Sequence, residues 1–141
     1  MLRLVADTNT VVSALLWHGA PHRLFEAIRT EEVSFYASRT LIAELADVLP
    51  RRKLARAVRA SGKSALALVA EYRGLVRLVQ SRALRRPASR DPDDDAVIAC
   101  ALAARADLIV SGDKDLLVLE TYRGISIVNA SDALTVISAR S

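Results

Sequence analysis

A chain of 141 residues, 52% of them hydrophobic, has the length of one ordinary domain and enough apolar surface to bury a core. Its single cysteine, Cys100, excludes an intrachain disulfide and fits a reducing cytoplasm; no apolar run approaches the roughly 18 residues of a membrane span, and Asp7 arrives too early for a secretory signal. The net charge of +4 hides a segregation: residues 51–90 hold twelve Lys or Arg against one acid, Glu71, while the remainder holds eight against fifteen, so a basic middle lies between acidic flanks.

Leu2–Ala6 is an apolar run ending at Asp7 and predicts a buried strand. Val11–Trp17 has helical spacing, broken by His18-Gly19-Ala20-Pro21, and Pro21 suits the first turn of a second helix over His22–Thr30. Val33–Tyr36 predicts a strand, and Ser38 the cap of a helix that Pro50 ends near Leu49. A basic helix over Arg51–Ala60 gives way at Ser61-Gly62, helical spacing resumes over Ser64–Tyr72, and Leu75–Val79 predicts a strand. Residues 81–92, with two prolines and no apolar period, predict a loop. An Ala-rich helix opens at Asp93-Asp94-Asp95 and runs to about Ala106; a strand over Asp107–Ser111, a turn at Gly112, a strand over Ile125–Val128 and a helix over Ser131–Ser138 complete the chain. Strands alternating with helices predict a single α/β domain over 1–141, a three-layer sandwich with a central, mostly parallel sheet flanked by helices. The strands are apolar throughout, as covering on both faces requires.

The acids fall in a pattern. Asp7 and Asp113 each follow the carboxyl end of a predicted strand, and in parallel α/β sheets sites form in the crevice outside those ends. Glu44 shares one side of its helix with Leu41 and Val48, where a carboxylate is costly without compensation, whereas Asp47 is free to face solvent. Asp93, Asp94 and Asp95 enter the first turn of a helix apolar nearly all round. Each acid taken singly also has a plain structural role: Asp7 and Asp113 as helix caps, Asp93–Asp95 opposing a helix dipole for about 0.3–1 kcal/mol each, Glu44 pairing with an arginine. Four such acids directed to one sheet edge point instead to a hard divalent cation, which prefers oxygen donors and relieves their mutual repulsion. His18 and His22 lie together with no cysteine near, so a zinc site is not expected, and Cys100 reads as packing. Gly112 is expected where a side chain would not fit, at the turn that holds Asp113.

The segments LVADTNTVVSALL (4–16), LIAELADVL (41–49) and DPDDDAVIACALAARADLIVSGDKDLL (91–117), followed by a final short strand and helix, resemble the PIN-domain nucleases over nearly the whole chain. The subgroup most similar is the VapC-like toxins of bacterial type II toxin–antitoxin systems. The resemblance implies a PIN-like fold and Mg²⁺- or Mn²⁺-dependent cleavage of single-stranded RNA, within a homodimer restrained by a cognate antitoxin protein. It carries the four catalytic acids onto Asp7, Glu44, Asp95 and Asp113, the third by its D-A-V-I-A-C frame, with Asp93 and Asp94 adjoining. Asp7, Asp95 and Asp113 would hold metal, and Glu44 would help hold it or orient the attacking water. Asn9 and Ser111 match polar positions that orient acids or substrate, and Asp115 helps or substitutes for Asp113.

The basic middle then gains a role. Arg52, Arg56 and Arg59 share a helical face, and Arg82, Arg85, Arg86 and Arg90 line the loop leading to the acids; almost no acid is interspersed, which favours binding of the RNA backbone over a merely solvated face. Few aromatics are available for base stacking, so sequence preference is not read. Two other classes are weighed. An aspartyl phosphatase would show a second Asp two residues after the first, where Asn9 stands. A non-catalytic, metal-stabilised module that binds RNA or a partner, or a housekeeping RNA-processing nuclease, would keep the same acids.

Overall fold

The computed structural model describes residues 1–30 and 32–140. Strand β1 (Leu2–Ala6) leads into α1 (Thr8–Leu16) and α2 (Ala20–Glu26), the latter continued by a 3₁₀ turn at Ala27–Thr30. Then come β2 (Val33–Ala37), α3 (Arg39–Val48), a 3₁₀ turn at Arg52–Leu54, α4 (Ala55–Ala60), α5 (Ala65–Leu75) and β3 (Val76–Leu78). After the loop follow α6 (Pro92–Ala104), β4 (Leu108–Val110), α7 (Lys114–Leu117), β5 (Thr121–Tyr122), β6 (Ile125–Val128) and α8 (Ala130–Arg140).

The strands form one sheet in the order β3-β2-β1-β4-β6-β5, parallel except where β5 pairs antiparallel with β6. Strand β2 is buried along its whole length, and Leu4, Val5, Ala6, Ile109 and Val110 are sealed in the centre. Such strands need helices on both faces, and α6 packs across β1, β2 and β4 while α8 rests on β4. The three-layer α/β sandwich is therefore the observed fold. From β1 the chain winds outward to β2 and β3, then returns to lay β4 on the other side of β1. That reversal makes the β1–β4 boundary the topological switch point, where a crevice opens beyond the strand ends.

Several boundaries differ from the periodicity. Helix α1 begins at Thr8, three residues before its apolar spacing, because Asp7 caps it. Helix α6 begins at Pro92 rather than Asp93, with Asp91 as its cap. The expected basic helix over 51–60 is a 3₁₀ turn followed by the short α4. Helix α7 and strand β5 were not foreseen: four and two residues are too short to establish a period.

Candidate active site

At the switch point the end of β1 is tied to the end of β4. The Asp7 amide donates to the Val110 carbonyl at 3.1 Å, and the Ser111 amide to Val128 at 2.9 Å. The buried Asp7 carboxylate accepts from the Thr10 amide at 2.9 Å through Oδ1 and from the Ser111 hydroxyl through Oδ2. Ser111 Oγ also accepts from the Asp113 amide at 2.9 Å, so one hydroxyl aligns two acids 106 positions apart. Asp113 in turn caps α7, its Oδ1 accepting from the Asp115 amide at 2.8 Å. Capping and clustering coexist here: both expected caps are caps, and both also border the crevice.

The third contribution comes from the start of α6, and its phase decides which acid arrives. With Asp91 as the cap and Pro92 first in the helix, Asp94 occupies the third helical position, whose side chain folds back toward the cap. Carboxylate oxygens of Asp91, Asp94 and Asp113 consequently lie within 4.8 Å of one another. Asp94 shares its helix face with the buried Val97, Ile98 and Ala101, which carries it inward. Asp95 is one step further round: its Oδ1 accepts from the Ala88 and Ser89 amides, both at 2.9 Å, and pins the preceding loop. The α6 carboxylate that meets Asp113 is therefore that of Asp94, not of Asp95 as the D-A-V-I-A-C frame suggested. Asp91 was not singled out in the sequence, although an Asp-Pro pair before an apolar helix is a cap-and-first-turn signal.

The electrostatics describe one shared field. Burial raises the Asp94 carboxyl to about 6, the Ser89 hydroxyl at 3.1 Å offsets part of this, and Asp113, Asp91 and Asp7 push it up further. Burial also raises half-buried Glu44; the Thr8 side chain opposes that shift, and Asp93, Asp91 and Asp7 reinforce it. Asp7, Glu44, Asp91, Asp94 and Asp113 thus gather at the switch point. Among the described residues the one nearby donor to Asp94 is Ser89, so repulsion there is largely uncompensated by protein cations.

Other expected residues lie elsewhere. Asn9 is exposed; Ser111 donates to the Asp7 carboxylate, and the Thr8 side chain opposes the upward shift of Glu44. Asp115 contributes its amide to Asp113 while its side chain is exposed. An added Cβ at Gly112 would meet nothing within 4 Å, so the close fit expected there is absent. His18 and His22 meet edge to face with ring centroids 5.1 Å apart, and His22 pairs with Glu26 at 2.9 Å. Cys100 is buried, its thiol raised to about 12 by that burial. Arg52, Arg56, Arg59 and Arg86 are all exposed, and among the described residues none pairs with a carboxylate; Glu71, the one acid of the basic stretch, is taken by Lys63 at 2.6 Å.

A family model for the PIN domain matches residues 3–115. The chain belongs to the PIN domain family. The PIN family is one of nucleases, and the matched span contains all five gathered acids. Among solved structures, this PIN domain is similar to the crystal structure of VapBC2 from Rickettsia felis bound to a DNA fragment from their promoter. The TM-score is 0.61 at 14% identity, covering 91% of this chain and 98% of that one, a likeness of fold. No curated protein matches the sequence. Among the described residues of this PIN domain no helix is long and apolar enough to cross a membrane.

Proposed function

We propose that this chain is an endoribonuclease that cleaves single-stranded RNA with Mg²⁺ or Mn²⁺, and that it is the VapC-like toxin of a toxin–antitoxin pair. The observation that carries the reading is the meeting of Asp91, Asp94 and Asp113 within 4.8 Å beside Asp7 and Glu44. The donor set is all oxygen, suits a hard divalent cation, and leaves a repulsion that such a cation relieves. Asp94, Asp113 and Asp91 would hold it, with Asp7 facing them from the end of β1. When bound, the cation supplies Lewis-acid stabilisation of charge on a phosphodiester and activation of water.

The remaining roles belong to the chain's own groups. Glu44, raised by burial and by its acidic neighbours, suits a base that accepts a proton from the attacking water nearer neutrality than an ordinary glutamate would. Ser111 and Thr10 hold the Asp7 carboxylate in place. Exposed Arg52, Arg56, Arg59 and Arg86 supply a field for the RNA backbone. A cognate antitoxin partner and a homodimer follow from the VapC-like resemblance, and the R. felis VapBC2 structure is consistent with the former.

The test is incubation of single-stranded RNA with the protein and Mg²⁺ or Mn²⁺, beside a chelator control and Asp7→Asn, with growth followed on induction in a bacterium. Cleavage and growth arrest that both vanish in Asp7→Asn support the toxin. Cleavage without arrest points to a housekeeping nuclease. Absence of cleavage, with Mg²⁺ still raising the Tm, points to a metal-stabilised binding module.

A further inference from the structure

The arginines of the 81–88 loop do not stand alone. Arg82, Arg85 and Arg86 line a cleft of about 920 Å³ whose floor is Ala99, Leu102 and Ala103 of α6, and whose far wall is Tyr122 and Arg123 of the β5–β6 hairpin. Among the described residues no acid lines this cleft, and none of the four guanidiniums is paired with a carboxylate. The floor continues the α6 face that begins at Asp95, so the cleft runs along the helix that Asp91 caps, on the side next to the one that carries Asp94. Eight residues from Asp95 to Ala103 span about 12 Å, room for several phosphates at the roughly 3.4 Å per-strand spacing of stacked nucleic acid.

Arg123 adds an independent observation. Thr121 pairs with Ser126 and Tyr122 with Ile125, leaving Arg123-Gly124 as a two-residue turn. Both have positive φ, 48° and 83°, as a type I′ turn demands. Asn or Asp is the favoured non-glycine residue in the first position, because its short polar side chain hydrogen-bonds locally and offsets the clash of Cβ with the following carbonyl that strains other side chains there. The arginine nevertheless occupies it, with its guanidinium carbon 5.6 Å from the centroid of the Tyr122 ring.

We propose that this cleft is the track for the backbone of a single-stranded RNA, with Arg82, Arg85 and Arg123 contacting phosphates and Tyr122 offering a stacking face. The proposal rests on the ribonuclease reading above and deepens it, setting Tyr122 and Arg123 of the hairpin opposite the arginines of the loop, where that reading had only a basic field. Guanidiniums on both walls suit a charged strand passing between them, and the ring gives a base-tolerant contact.

The decisive experiment measures binding of a fluorescent oligouridine of roughly twelve nucleotides by anisotropy, in chelator, over a range of salt, for the unmutated chain and for Arg123→Asn. Asparagine relieves the turn, so the Tm of Arg123→Asn should rise while RNA affinity falls about fivefold and the salt slope drops by roughly 0.7, the value of one single-stranded phosphate contact. Arg82→Ala with Arg85→Ala should lower the slope by about twice that. Unchanged affinity and slope in both variants overturn the track. Tighter binding of an oligoglutamate than of RNA, lost in Arg123→Asn, overturns it in favour of an acidic peptide. Binding with the expected signatures but no cleavage with Mg²⁺ or Mn²⁺ leaves the track standing and removes the nuclease reading; metal-dependent cleavage with inert arginine variants does the reverse.

Discussion

Asp94 and Asp95 are neighbours in sequence, on one turn of one helix, and they meet opposite surroundings. Asp94 is buried, 5% exposed, faces Asp91 and Asp113, and has one hydroxyl donor. Asp95 faces the 81–88 loop and has two backbone amides on one oxygen. The same carboxylate is a repelled group in one place and an anchor in the other. What separates the roles is a rotation of about 100° around the helix, since 3.6 residues make a turn. Substituting one acid and then the other therefore tests the functional reading more sharply than removing any single acid does.

The largest effect should be on cleavage. Asp94→Asn should lower single-stranded RNA hydrolysis about a thousandfold, the size expected when roughly 4 kcal/mol of cation-borne charge stabilisation is removed. Asp95→Asn keeps an oxygen for the Ala88 and Ser89 amides and should stay within about tenfold of the unmutated enzyme. Initial rates under saturating Mg²⁺ measure both. Equal losses would return Asp95 to the cluster and undo the phase argument.

The second contrast is in stability, and its sign reverses between the two positions. Asp95→Ala leaves two amides without their acceptor and should cost about 1–2 kcal/mol, a fall in Tm of roughly 3–8 °C. Asp94→Asn removes a repelled charge and should be neutral or stabilising without metal. The pH dependence follows from the raised carboxyl of Asp94. Its folded value, about 6, lies above the ordinary 3.8, so the folded state holds the proton longer than the unfolded chain does. The stability associated with that proton is present below pH 4 and is lost as pH rises through 6. In chelator, the Tm of Asp94→Asn relative to the unmutated chain should grow over that window and then level, and added Mg²⁺ should shrink the difference. A difference that is flat with pH would mean that Asp94 is not the strained acid.

Much of this was legible in the sequence for a physical reason. The apolar runs Leu2–Ala6 and Val33–Tyr36 are long enough to declare buried strands, and the acids after β1 and β4 declare the sheet edge that holds them. The layered α/β fold follows from the alternation itself. What escaped depended on local phase. The resemblance drew attention to Asn9, and apolar spacing set the start of α1 at Val11; the true start at Thr8 puts the Thr8 side chain beside Glu44. Starting α6 at Asp93 hid the cap at Asp91, and the D-A-V-I-A-C frame pointed to Asp95, one residue past the carboxylate that meets Asp113. The hairpin that brings Tyr122 and Arg123 to the cleft escaped because Arg-Gly lacks the Asn or Asp that marks such a turn.

The smallest effect lies in the core, where the lesson of Asp94 and Asp95 recurs without a full charge. Tyr72 of α5 is sealed in the core, its ring stacked 5.9 Å from Phe25, and its hydroxyl has no hydrogen-bond partner among the described residues. Burial pushes that hydroxyl well above its ordinary range, with Cys100 and Asp7 adding to the shift. A buried polar atom without a partner carries its desolvation penalty uncompensated, whereas removing it with little change of shape carries none. Tyr72→Phe should therefore hold or raise the Tm by about 1–3 °C. A clear fall, measured in chelator and again with Mg²⁺, would show that the hydroxyl has an acceptor after all and that the core around Tyr72 holds a polar contact rather than packing alone.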